Sequence, residues 1–178
     1  MISRKPCPAA QPRASQPKNR VNSPAEGMAY ALRLLGVRDY SGGEMRRKLL
    51  AKGLGAPEAE EAVGALRSRG LIDDGRYARR LASYYTGEKL WGPRRVLQKL
   101  LEKGIDRELA GALTREAAQA GSSRERLRKV AGSKLKGKTV EEVSPRDRKR
   151  LADHLSRRGF LWDDILEFLG DRGGFAEE

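Results

Sequence analysis

The chain has 178 residues, of which 38% are hydrophobic and 6% aromatic, so we expect a thin hydrophobic core. Lysine and arginine number 37 against 24 aspartate and glutamate, which gives a formal net charge of +13. A polyanionic partner would use that excess, because cations on a protein displace the counterions of phosphates. The alternative is that the charge serves solubility alone. No apolar run approaches the ~20 residues of a membrane span, so we expect no membrane association.

The N-terminal segment differs in composition from the rest of the chain. Residues 1–23 are rich in Pro, Gln, Ser and Arg, and they contain no acidic residue. This composition predicts a disordered basic tail without the apolar stretch of a secretory signal. The only cysteine, Cys7, lies in this tail, which excludes a disulfide framework and fits a reducing cytoplasm.

The next residues show the spacing of helices, interrupted by glycine and proline. The first predicted helix carries the apolar stripe Met28, Leu32 and Leu35. Ser41, with Glu44 three residues later, predicts a capping box at the start of the second helix. A third helix opens at a proline and ends near a glycine. Residues 24–71 therefore form a first unit of three helices.

Two further units repeat this order. Asp73 and Asp74 are N-cap candidates for the first helix of the second unit, in which Tyr77 and Tyr84 share an apolar face. In the third unit we predict a loop over residues 132–143, and residues 162–169 form a short final helix. No convincing strand is present, so the predicted fold is all-α. The predicted boundaries are 24–71, 72–121 and 122–172, with a C-terminal tail at 173–178.

One helix of each unit follows the same pattern. Residues 45–54, 96–105 and 151–160 each form a basic amphipathic helix that ends in Lys-Gly or Arg-Gly before an apolar residue. The residues four and eight before the glycine are apolar in all three segments, which places them on one helical face. The glycines recur at intervals of 51 and 55 residues. The pattern predicts three stacked copies of one helical unit and an extended interaction surface.

The opposite faces of these helices carry the candidate binding residues. Arg95, Lys99 and Lys103 are spaced at i, i+4 and i+8, and such a row suits a phosphate backbone. The alternative is a solvated face whose last cation complements the helix dipole. Trp91 and the neighbouring tyrosines either stack on bases or pack in the core. The full set of candidates for binding DNA or a DNA-bound filament is Arg46, Arg47, Lys48, Arg94, Arg95, Lys99, Lys103 and Arg150.

Several motifs of enzymes can be weighed and rejected. Residues 132–139 match the P-loop pattern, but helical sequence precedes them and no strand ends in a magnesium-binding aspartate. A basic loop that contacts phosphate is the better interpretation. His154 is the only histidine, so a metal site or a catalytic relay built on it is improbable; it replaces the lysine of the other repeats. We therefore expect neither an enzyme nor a metal or other cofactor.

Particular segments of the chain resemble the RecX family of bacterial regulators of the RecA recombinase. They are RDYS at 38–41, EMRRKL at 44–49, LIDDGRYA at 71–78, GPRRV at 92–96 and LLEKGI at 100–105. The resemblance covers about residues 25–170 and is strongest from residue 41 to residue 105. The third unit resembles the family only loosely, because its long loop departs from the usual pattern.

The resemblance implies a modulator without catalytic residues. Three tandem three-helix repeats would curve into an elongated monomer that lies in the groove of the RecA filament on single- or double-stranded DNA. By bridging protomers it would restrain ATP hydrolysis and strand exchange, most simply as an inhibitor acting in DNA repair, homologous recombination and the SOS response. The alternative from another class is a sequence-specific DNA-binding transcriptional regulator, since three-helix units can place a recognition helix in the major groove.

Overall fold

The computed structural model describes residues 21, 23–119 and 122–170 of the chain. The described residues form helices without a strand, which confirms the all-α prediction. The predicted N-terminal tail lies outside the described residues, apart from Val21 and Ser23, and so does the predicted C-terminal tail. The helices are α1 (Pro24–Leu35), α2 (Gly42–Ala51), α3 (Ala56–Ser68), α4 (Asp74–Gly87), α5 (Pro93–Glu102), α6 (Arg107–Gln119), α7 (Ser122–Leu135), α8 (Pro145–Arg157) and α9 (Trp162–Leu169).

Local sequence signals start most of these helices. The side chains of Ser41, Asp73 and Ser144 each accept a hydrogen bond from the backbone N–H three residues later, as N-caps do. Prolines stand in the first turn of α1, α3, α5 and α8, where a missing N–H costs nothing. The capping box at α2 is only half formed. The carboxylate of Glu44 bonds to Lys103 and Tyr77 instead of turning back to the N-cap.

The ends of the three basic helices α2, α5 and α8 are alike. Gly53, Gly104 and Gly159 follow them with φ of 97°, 73° and 87°. Glycine adopts this left-handed conformation without the steric cost that a Cβ imposes, and the turn ends the helix. The apolar residue that follows each glycine is buried: Leu54, Ile105 and Phe160. The predicted repeat is therefore a repeat of structure as well as of sequence.

The helices pack in threes around separate hydrophobic clusters. One cluster joins α1, α2 and α3, a second joins α4, α5 and α6, and a third joins α7, α8 and α9. The apolar residues of the basic helices are at their centres: Met45, Leu49, Val96, Leu100, Leu151 and Leu155 are each at most 5% exposed. Helices α6 and α7 pack against each other across two units.

Three expectations about local structure are corrected. Leu32 is 42% exposed, because α1 turns Gly27 and Ala31 to the core; a Cβ on Gly27 would lie 2.8 Å from Leu54 Cδ2. Tyr84 is also exposed, since α4 buries Tyr77 and the small residues after it. The loop of the third unit is shorter than predicted, because α7 continues through Leu135 and only residues 136–144 connect it to α8.

Glycines also permit the contacts between units. The N-terminal turn of α2 lies against the C-terminal end of α5, and a Cβ on Gly43 would lie 2.8 Å from Gly104 Cα. The N-terminal end of α5 meets the end of α8 in the same way, where a Cβ on Gly92 would overlap the backbone of Gly159. A backbone neighbour cannot rotate away as a side chain can, so these positions allow no larger residue without separating the units.

Gly43→Ala is expected to destabilise the chain by about 1–3 kcal/mol, because the new methyl group overpacks a contact between two backbones. The matched control is Gly64→Ala in α3, where the structure has open space around the position. That change is expected to stabilise by about 0.5–1 kcal/mol, the difference in helix propensity. Urea unfolding of both variants measures the two effects. Equal stability changes of the two variants would contradict the close approach of α2 and α5.

Candidate binding surface on the three basic helices

The three basic helices follow one another end to end. The C-terminal end of α8 meets the N-terminal end of α5, where Gly92 N and Arg94 N donate to Arg158 O and Gly159 O at 2.9 Å each. The C-terminal end of α5 meets the N-terminal end of α2, where the Ser41 hydroxyl donates to Lys103 O. Free carbonyls of one helix thus meet free donors of the next, and opposite ends of the helix dipoles are adjacent.

The junction between the first and second units is rich in polar contacts. Asp74 accepts from Gly42 N at 2.8 Å through Oδ1 and from the Arg67 guanidinium at 2.7 Å through Oδ2. Its carboxylate therefore lies at the N-terminus of α2 and inside an ion pair with α3. Asp39 and Arg80 form a further ion pair between these units. Together these contacts fix the orientation of α4 relative to α2 and α3.

Glu44 is the centre of this junction. Its carboxylate accepts from Lys103 Nζ at 2.9 Å and from the Tyr77 hydroxyl at 3.0 Å, and Arg38 lies 3.5 Å away. Burial alone would raise the pKa of Glu44, but the hydrogen bonds from Lys103 and Tyr77 and the two cations outweigh it, and the pKa is lowered. Burial and the hydrogen bond to Glu44 raise the pKa of Tyr77 to about 12. The carboxylate is therefore ionised and the phenol protonated at neutral pH.

Three of the predicted binding residues belong to the junctions. Arg47 donates to Glu102 O at 2.7 Å, and Arg95 reaches Arg157 O at 3.5 Å. In both cases an arginine of one basic helix contacts the carbonyl two residues before the glycine of the next. Lys103 is bound to Glu44, as described above. The predicted row Arg95, Lys99 and Lys103 therefore makes structural contacts at both ends.

Three other predicted residues have partners within their own units. Arg46 pairs with Glu60 of α3 at 2.9 Å. Lys48 lies over the ring of Tyr40, with Nζ 5.3 Å from its centroid. Lys99 pairs with Glu102 on the same helix, and the hydrogen bond in this pair raises the pKa of Lys99. A phosphate would have to compete with these exposed carboxylates, and exposed ion pairs are weak.

The last two predicted residues are the most available to a partner. Arg94 is exposed, and no acidic side chain of the described residues pairs with it. It lines a shallow depression with Arg95 and Arg157 at the α5–α8 junction. Arg150 is 64% exposed and pairs with Asp147 at 3.3 Å on the surface of α8. All eight predicted residues thus lie on or beside the row of basic helices, but only some present a free cation.

The aromatic residues beside α5 form a stack. The rings of Tyr85 and Trp91 are parallel with centroids 4.4 Å apart, and the Arg95 guanidinium lies 4.1 Å from the Trp91 ring centroid. Both faces of the indole are therefore covered, one by tyrosine and one by arginine. Tyr84 remains exposed, with Lys89 near its ring. Of the aromatic residues considered for stacking on bases, Tyr84 is the most exposed, although its ring also contacts that of Tyr85 edge-on.

The structure places the P-loop pattern in a context unlike that of a P-loop nucleotide site. Its first residues, 132–135, are the last turn of α7, so a helix precedes the loop and the next helix begins only at Pro145. His154 is partly buried on α8; burial and the nearby cations Lys134, Arg158 and Arg157 lower its pKa. Over the described residues no group of His, Cys, Asp and Glu could hold a metal ion. None of the described helices is long and apolar enough to cross a bilayer.

Comparison with known proteins identifies the family. Models of the RecX first and second three-helix domains match residues 28–66 and 73–113. The regulatory protein RecX of Trichlorobacter lovleyi is 34% identical over 146 residues, which are 82% of this chain and 95% of that protein. The chain belongs to the RecX family. Its first and second three-helix units therefore correspond to the first and second three-helix domains of RecX.

Further RecX proteins are similar over most of the chain. That of Chlorobium limicola is 35% identical over 147 residues, which cover 82% of this chain and 89% of the relative. The crystal structure of RecX from Lactobacillus salivarius matches with a TM-score of 0.71 at 21% identity, over 83% of this chain and 94% of that one. At such an identity the likeness is evidence about the fold alone. It agrees with a RecX fold of tandem three-helix domains.

The residues that join the units of this RecX family member were not predicted from the sequence. Asp74 and Tyr77 lie within the segment LIDDGRYA, but their partners are 32 and 33 residues away in the chain. One aspartate is enough to cap a helix, and Asp73 does so here. The adjacent Asp74 was therefore the one sign in the sequence of a second, long-range contact. Glu44 carried no such signal, because a glutamate three residues after a serine is fully explained by a capping box.

Glu44→Gln is expected to lower the free energy of unfolding at pH 7 by about 1–3 kcal/mol, the cost of weakening a hydrogen bond to a charged group. Because the folded pKa of Glu44 lies below its ordinary value of 4.5, its stabilising effect is present above pH 4.5 and is lost as the pH falls through the folded pKa. The difference in unfolding free energy between the wild type and Glu44→Gln should therefore become smaller at acidic pH. Thermal unfolding between about pH 3 and 7 measures it. The control Glu102→Gln removes an exposed partner of Lys99 and should change little; a constant Glu44→Gln effect at every pH would refute the junction role.

Proposed function

We propose that this chain is a non-enzymatic modulator of the RecA recombinase, and specifically an inhibitor. It binds as a monomer in the groove of the RecA–DNA filament and restrains ATP hydrolysis and strand exchange. Membership of the RecX family supports the regulatory role. The observation that carries the proposal is the end-to-end row of three equivalent basic helices.

A row of equivalent units suits a partner that is itself repetitive. A filament presents the same surface at regular intervals, so successive units of one chain can contact successive protomers. Once one unit is bound, the rigid junctions hold the next near its own site, and the effective concentration of that second contact is high. Bridging of this kind would oppose the relative movement of protomers that a cycle of ATP hydrolysis requires.

The charge of the chain supports a partner that includes DNA. An ion pair joins one cation to one anion and leaves the net charge of +13 unchanged, so the chain carries more cations than its acidic side chains can pair with. Exposed cations beside the row, such as Arg94, are available to phosphates or to acidic residues of the filament. Binding through phosphates is independent of sequence and depends steeply on salt.

The test uses one exposed cation from each unit. Arg46→Ala, Arg94→Ala and Arg150→Ala together are expected to weaken binding to the RecA filament on single-stranded DNA and to weaken the suppression of its ATP hydrolysis. They leave Arg47 and Lys103 in place, so the junctions should remain intact. The salt dependence of DNA binding should flatten by about 0.7 units of slope for each lost single-strand phosphate contact.

The matched control removes the same charge from other helices. Arg69→Ala, Arg107→Ala and Lys129→Ala replace exposed cations outside the row, and they should alter inhibition of RecA much less. Circular dichroism establishes that both variants are folded. An equal loss in the two variants would mean that net charge alone governs binding and that the row has no special role.

The second candidate function is that of a sequence-specific DNA-binding regulator. Its support is the three-helix unit, which can place one helix in the major groove. It requires a preferred DNA sequence, bound at least about 10³-fold more tightly than other sequences. Selection from random duplexes, followed by competition with RecA filaments, distinguishes the two functions.

A further inference from the structure

A cavity of about 490 Å³ opens between the end of α7, the loop after it and α8. This volume lies within the range of small-molecule sites. Leu135, Val143 and Leu151 supply apolar lining, and Asp147 is the acidic residue among them. The remaining lining residues are basic: Lys134, Lys136, Lys138, Arg150, His154 and Arg157.

The charge around this cavity is largely uncompensated. Asp147 pairs with Arg150 at 3.3 Å. Among the described residues, no acidic side chain pairs with Lys134, Lys136, Lys138 or Arg157. Several cations of the first and second units differ, since Arg46, Lys99 and Lys103 all have carboxylate partners. Several unpaired like charges around one concavity repel one another, and a bound anion would remove that repulsion.

The backbone beside the cavity is strained. Lys136 has φ of +50° and is followed by Gly137 with φ of +89°. A left-handed lysine costs free energy that a glycine would not, and such residues are concentrated at binding sites. Lys134 at the end of α7, together with Lys136 and Lys138 of this turn, lines the cavity, as do Arg150, His154 and Arg157 of α8.

His154 reports on the electrostatic potential inside the cavity. Burial lowers its pKa, as do the charges of Lys134, Arg158 and Arg157. Lys136, Lys138 and Arg150 face the same space and act in the same direction, whereas Asp147 opposes them. An anion bound between these groups would favour the charged imidazolium and raise the pKa again.

We propose that this cavity is a binding site for a compact anion that carries two or more linked phosphate groups. The site shares Arg150 with the row of basic helices, but the proposal does not require that row to bind RecA. Its walls stand on two helices and one loop of a single unit, so they surround a small ligand on several sides. A DNA duplex is a wide convex rod, and it would contact the outer ridge of α8 rather than fill the cavity. Recognition by side-chain cations requires phosphates and makes no demand on a base or a sugar.

The first experiment is a calorimetric titration of the full chain with tripolyphosphate at about 0.15 M salt, where weak surface attraction is screened. One saturable site is expected. ATP should bind with similar affinity, and orthophosphate at least about tenfold more weakly, because fewer charge-assisted hydrogen bonds form. Lys134→Ala and Arg157→Ala should each reduce the affinity for tripolyphosphate about tenfold. Lys129→Ala, which removes an exposed lysine of α7 outside the cavity, should leave it unchanged.

The second experiment uses the fact that the chain contains one histidine, whose imidazole resonances are therefore unambiguous. A pH titration by nuclear magnetic resonance, with and without saturating tripolyphosphate at equal ionic strength, should show the pKa of His154 rising on binding. The proposal is overturned if tripolyphosphate does not saturate, if Lys129→Ala weakens binding as much as the cavity variants, or if the His154 signal does not respond. A response to an oligonucleotide but not to tripolyphosphate would also overturn it, since the cavity would then belong to a DNA-binding surface.

Discussion

The C-terminal glycine of one basic helix lies against the N-terminal turn of the basic helix in the preceding unit, and this contact occurs at both junctions. Gly104 meets Gly43, and Gly159 meets Gly92, so close that neither pair leaves room for a Cβ. The arrangement satisfies carbonyls and amides that helix ends otherwise leave free. Each unit has its own small core, and the order of the units depends on these contacts and on the packing of α6 against α7. The surface available to a partner follows from how the ends meet.

The same contacts divide the cations of the chain into two kinds. Arg47 and Lys103 donate to groups of a neighbouring unit, so their charges are largely used inside the protein. Arg94 and the cations around the third-unit cavity have no such partners among the described residues. A basic helix in this fold is therefore not uniformly a binding surface. Either end of such a helix can join units, and the cations without acidic partners among the described residues include Arg94 in the first turn of α5 and Arg157 at the end of α8.

The two ends of the array are closed in different ways. Val21 N donates to Lys52 O at 2.9 Å, so Val21 occupies the carbonyl that corresponds to those of Lys103 and Arg158 at the two junctions. At the other end, α8 begins with Ser144, Pro145 and Arg146, and Ser144 is bound within its own turn to Asp147. The close approaches at the two junctions use glycine as the N-cap of α5 and as the second residue of α2. The corresponding residues of α8 are Ser144 and Arg146, so a further unit docked there would meet a Cβ. The terminal units of a repeat array need ends of this kind, because an open end would bind the end of another molecule.

The sequence by itself determined the features that depend on neighbouring residues in the chain. The caps at Ser41, Asp73 and Ser144, the glycine that ends each basic helix and the apolar face behind it are local, and the predicted all-α repeat follows from them. Only the tertiary structure decided that Glu44 binds Lys103, 59 residues away, and that Leu32 faces solvent. Periodicity identifies an apolar stripe but not the neighbour that covers it. A lysine on a polar helical face likewise carries no mark that distinguishes a free charge from one bound in a junction, because that difference depends on residues brought together only by folding.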